Sequence, residues 1–138
     1  MDMATITEDY VSFETAKLLK EKGFNGDTAS CYILEDSTHH IMSDKVVQNE
    51  YYESQDSNEH GHLIQAPTLQ MVMKWLREVH GLFISIGNDD LDYNWQIFDI
   101  KNRTKDLDPT CLTDSHGGYR KYELACTLAI KYCLENLI

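Results

Sequence analysis

Between Tyr122 and Leu137 apolar residues stand at Tyr122, Ala125, Cys126, Ala129, Ile130, Cys133, Leu134 and Leu137, the i, i+3, i+4, i+7 pattern of one helical face. That spacing predicts a helix over about 122–137, and Leu124, Leu128 and Tyr132 widen its apolar arc. A helix so apolar around its circumference is excluded from open solvent. The chain must therefore enclose it, either with a sheet of its own or with a second subunit.

Two further helices have both start and stop signals. Ser12 is placed to cap a helix over about Phe13 to Lys22, with Val11 ahead of it able to staple onto Ala16. Gly23 falls where a left-handed residue closes a helix, and Phe24 follows at the position that touches Leu19 in a Schellman ending. In Ala66-Pro67-Thr68, proline disfavours helix at Ala66 and threonine caps the next one. Leu69, Val72, Met73, Leu76 and Val79 or His80 form its stripe, and Gly81 ends it.

The strands are shorter. Ser30 to Leu34 is rich in β-forming residues, and a further short strand is expected near His62 to Gln65. Leu82 to Ile86 and Tyr93 to Ile100, joined by the turn-rich stretch Gly87 to Asp92, predict a hairpin. The resulting order, α-β-(β)-α-β-β-α, implies an α+β fold: a small, mostly antiparallel sheet of three to four strands with three helices on one face. At 138 residues the expectation is a single domain spanning 1–138. The polar stretches at about 36–61 and 101–118 are expected to be long surface loops.

Charge narrows the range of functions. A net charge of −11 and a pI near 4.8 disfavour direct nucleic-acid binding and attraction to anionic membranes. Residues 1–62 carry 13 acids against 4 bases, whereas 63–138 carry 10 against 8, so the excess acid lies in the first half. The start of the chain has neither the basic residues nor the apolar run of a secretory signal, and no stretch is apolar for long enough to span a bilayer. Cys31, Cys111, Cys126 and Cys133 show no CxxC spacing, which favours reduced thiols in a cytoplasm.

Each motif that could carry chemistry is incomplete. His39, His40, His60 and His62 flank the acidic 36–61 stretch and are the metal-ligand candidates, but no third ligand stands at a diagnostic spacing. A calcium loop begun at Asp90 would need glycine where Trp95 stands and glutamate where Lys101 stands. Asp114-Ser115-His116-Gly117-Gly118 contains the residue types of a hydrolase triad without the GxSxG elbow, and three neighbours in one loop do not readily adopt triad geometry. No phosphate-binding glycine loop occurs, and no cofactor is implied. Cys126 and Cys133 belong to an apolar stripe and are expected in the core, as is Trp95. Tyr51 and Tyr52, in an otherwise polar acidic stretch, are the candidate interaction residues.

Three segments together resemble a family. They are Ser12 to Phe24, Ala66 to His80 with its Ala-Pro-Thr-Leu-Gln-Met opening, and Tyr122 to Ile138. The pattern is similar to uncharacterised small proteins of phages and integrated elements in gut bacteria of the Bacteroides group. Such proteins often have Ser or Thr before the last helix, where this chain has Lys121. The resemblance implies context alone, a cytoplasmic setting in a bacterial host, and carries over no catalytic residue. The reading that follows is a non-enzymatic accessory protein acting through protein–protein contacts, with self-association into a homodimer as one form of contact. The alternatives are an acidic DNA mimic that blocks a host nucleic-acid-binding protein, and a metal-dependent enzyme using the loop histidines.

Overall fold

The computed structural model describes residues 6–26, 28, 30–33, 38–41, 63–101 and 110–138. The chain is α+β, with elements in the order α1 (Phe13–Glu21), β1 (Ser30–Ile33), β2 (His39–Ile41), β3 (Leu63–Gln65), α2 (Leu69–His80), β4 (Leu82–Asp89), β5 (Asp92–Asp99), β6 (Thr110–Asp114) and α3 (Tyr122–Tyr132). Beyond α3 the coil widens into a π-helical turn, Cys133–Leu137. The strands form two antiparallel three-stranded sheets, ordered β2-β1-β3 and β4-β5-β6.

The helix ends form as their residues dictate. Ser12 Oγ accepts the Thr15 amide at 3.2 Å, and Thr68 Oγ1 accepts the Met71 amide at 3.1 Å. At the end of α1 the Phe24 amide donates to Leu19 O at 2.9 Å and the Gly23 amide to Lys20 O at 3.2 Å, the Schellman pair, with Gly23 at φ +88°. Gly81 closes α2 at φ +64°. The two helix starts are also joined: the Val11 amide donates to Pro67 O at 3.0 Å and the Leu69 amide to Asp9 O at 2.9 Å. Lys121 precedes α3 without a side-chain capping bond.

The apolar stripe of the last helix is enclosed within the chain. Ala125, Cys126, Ala129, Ile130, Cys133 and Leu134 are fully buried, while Leu124 remains 45% exposed. The helix packs over the inner face of β4 and β5, where Leu82, Ile84, Trp95 and Ile97 are buried in the same core. In α2 the stripe ends on half-buried His80, since Val79 is 62% exposed. Ala16 and Leu19 join this core from the first helix, Val11 from the segment before it, and Ile64 from β3.

Two expected loops contain strands. β2 lies inside the 36–61 stretch and β6 inside the 101–118 stretch, so the described strands number six in two sheets instead of three or four in one. Both are edge strands, and β6 begins with three exposed residues, so it lacks the alternating burial that marks a strand in sequence. The hairpin is also tighter than expected: β4 and β5 pair from Leu82↔Asp99 to Asp89↔Asp92, leaving only Asp90 and Leu91 in the turn. Asp90, at φ +53°, adopts the left-handed backbone that such a turn demands and that aspartate tolerates.

Candidate interaction surface

Side chains alternate along β4 and β5, so burying Ile84, Trp95 and Ile97 turns Phe83, Ser85, Gln96 and Phe98 to the opposite, outer face. Register aligns these outer residues in rows. Phe83 stands opposite Phe98, which stands opposite Cys111 of β6. Ser85 stands opposite Gln96, which stands opposite Asp114. The rows are two residues apart on β5 but three apart on β6, because a bulge interrupts the pairing between Ile97 and Phe98. Phe83 is 39% exposed, and Leu112, within the bulged stretch, is 43% exposed.

From the second row onward the face is polar. An open cleft of about 420 Å³ is lined by Asp89, Asp92, Asn94, Gln96 and the Asp114–Gly118 segment. That segment is tied back onto β5: the Ser115 amide donates to Trp95 O at 2.9 Å, and the Trp95 amide to Ser115 Oγ at 3.3 Å. Tyr93 and Tyr119 exchange amide bonds of 2.6 and 2.7 Å, closing the loop at its far end. Gly118 passes so close to β5 that a Cβ there would lie 2.5 Å from Asp92 Cβ. Among the described residues the cleft lining holds three aspartates and no lysine or arginine.

The hydroxyl, imidazole and carboxylate in this loop do not form a catalytic relay. Ser115 Oγ donates to Gly117 O at 2.7 Å and accepts the Trp95 amide, so it is engaged with backbone. His116 places Nδ1 2.9 Å from Asp114 Oδ1, which also accepts the His116 amide at 2.9 Å. These bonds hold a left-handed residue, His116 at φ +52°, at the tip of a turn. The three residues are a loop clamp.

Of the metal-ligand candidates, His39 and His40 lie on β2, opposite Tyr32 and Cys31 of β1, instead of in a loop. His60 and His62 lie outside the described residues, as do Tyr51 and Tyr52. Among the described residues no three His, Cys, Asp or Glu side chains group closely enough to hold a metal ion. Burial pushes the Cys133 thiol up to about 12 and raises that of Cys126, so neither supplies a thiolate nucleophile near neutrality. Cys111 is exposed on β6, a strand where a loop was expected. A second, smaller cavity of about 200 Å³ lies between α1 and β3, floored by Leu19 and Ile64. No described helix is long and apolar enough to cross a membrane. No family model matches the chain, and no curated protein or solved structure matches it.

Proposed function

We propose that this chain is a non-enzymatic accessory protein of a phage or prophage that works by contacting another protein, with the outer face of the second sheet as the contact surface. One observation carries the reading: Phe83 and Leu112, on the two outer strands β4 and β6 of this sheet, are 39% and 43% exposed, and β6 is, among the described residues, paired on one side only. Exposed apolar side chains on a sheet that also presents polar ones have the composition of a protein interface. The phage context is supported by the three resembling segments, whose residues here serve as caps and core. The bonding of Ser115 and His116 within their own loop supports the non-enzymatic part.

The test is cross-linked capture from a Bacteroides-group host lysate, comparing the wild-type chain with the Phe83→Ser, Leu112→Ser double variant. A protein captured by the wild type and lost from a variant with an unchanged melting temperature supports the reading. Equal capture by both chains removes it.

A further inference from the structure

From the edge of the second sheet that is unpaired among the described residues we infer the kind of partner: an extended, basic segment of another protein that adds to β6 as a fourth strand. The inference rests on reading this sheet as a contact surface, and goes further by assigning the partner's backbone conformation and charge.

Proteins commonly blunt a free sheet edge with lysine, proline or a covering element, because its unpaired amides and carbonyls invite another strand. β6 runs Thr110-Cys111-Leu112-Thr113-Asp114, with no charge in its first four residues and with Thr110, Cys111 and Leu112 exposed. Among the described residues only the bulge at Leu112 modifies this edge, and it leaves that apolar side chain 43% exposed. Strand addition at such an edge derives affinity from main-chain hydrogen bonds and specificity from alternate side chains.

The rows across the sheet define those side chains. An added strand continues the Phe83–Phe98–Cys111 row with one residue and the Ser85–Gln96–Asp114 row with another. The first position calls for an apolar side chain. The second faces Asp114, with Asp92 and Asp89 across the same cleft and no lysine or arginine among the described lining residues, so it calls for Lys or Arg. On β5 the two rows stand two residues apart, at Phe98 and Gln96, and the bulge absorbs the extra residue of β6. A regular added strand therefore places its basic residue two positions from its apolar one. A second copy of this chain is a poor occupant on charge grounds, since each copy carries −11.

A display library of random nonapeptides panned on the full chain tests this. Enriched peptides are expected to carry Lys or Arg two positions from an apolar residue. Methylating the backbone nitrogens that face β6 should weaken binding by about tenfold or more, since each lost main-chain bond leaves an edge group unpaired. Asp92→Asn, Asp114→Asn should weaken it by roughly tenfold at low salt and flatten its salt dependence. No enrichment, enrichment without that spacing, or unimpaired binding by N-methylated peptides overturns the inference. So does a dimer in sedimentation that Leu112→Lys dissociates, because the edge is then filled by a second copy. If Phe83→Ser, Leu112→Ser abolishes lysate capture while N-methylated peptides bind normally, strand addition fails and the contact surface stands. If that double variant captures normally, the surface itself fails.

Discussion

The hydroxyl of Tyr32 donates to the main-chain carbonyl of Val11 at 2.6 Å, tying the first sheet to the segment that starts α1. Phe13 adds an edge-on ring contact to Tyr32, with centroids 5.6 Å apart. Tyr32→Phe keeps the ring and removes the bond, so a loss of about 1 kcal/mol is expected in urea unfolding. Burial raises the Tyr32 pKa, so the folded state favours the protonated phenol. That contribution is complete below the ordinary tyrosine range and is lost as pH rises through the folded value. Wild type should therefore lose its advantage over Tyr32→Phe in strongly alkaline buffer; a difference that persists there would contradict the assignment.

His80 ends the stripe of α2 with its ring 4.6 Å from that of Trp75, and its Nε2 is buried without a hydrogen-bond partner among the described residues. Burial, and then the charge of Lys101, lower its pKa. A lowered histidine resists protonation in the folded chain, so its stability contribution is present above the ordinary value of 6.5 and is lost as pH falls toward the folded value. Urea midpoints measured between pH 7 and pH 5 should fall less steeply in His80→Leu than in wild type.

Ile130 and Leu124 lie on the same helix with opposite exposures, 0% and 45%. Ile130→Ala should cost about 2–5 kcal/mol through the cavity it leaves. Leu124→Ala should stay within roughly 0.5 kcal/mol, as surface changes generally do. Comparable losses at both sites would mean that the Leu124 side is covered in solution, which is how a dimer through α3 would announce itself.

Thiol labelling should separate the cysteines cleanly. Cys111 is exposed, whereas Cys31, Cys126 and Cys133 are buried. An aromatic disulfide reagent is expected to titrate one thiol per folded chain and the other three only after denaturation. Fast labelling of a second thiol in the native protein would show that one of the buried sites opens.

Ser115→Ala removes both the acceptor of the Trp95 amide and the donor to Gly117 O. The expected loss is about 1 kcal/mol, with faster hydrogen exchange at the Trp95 amide. Exchange unchanged at that amide would mean that other contacts hold the loop.

Much of this fold can be read from side chains that act locally. Ser12, Thr68, Gly23 and Gly81 cap or close helices through their own bonds or backbone angles, and the stripe that runs through α3 from Tyr122 to Leu137 packs on one core. β6 is different, since an exposed edge strand carries no burial pattern to detect. The outer surface is harder still. Asp92 and Asp114 line one cleft, Asp114 because it stands opposite Gln96 of the neighbouring strand, and register of that kind has no signature within either strand alone. Phe83 and Phe98 show the same limit: each reads as a strand residue, and only their pairing turns them into a row.

The bond between the Val11 amide and the Pro67 carbonyl has a kinetic consequence. It joins points far apart along the chain, whereas α2, β4 and β5 follow one another through tight turns. Local pieces close in microseconds, and distant ones wait on the entropy of a long loop. The α2–β4–β5 segment is thus the expected nucleus, and docking of α1 the late event. Destabilising changes at Val11 should then speed unfolding and leave the refolding rate nearly untouched.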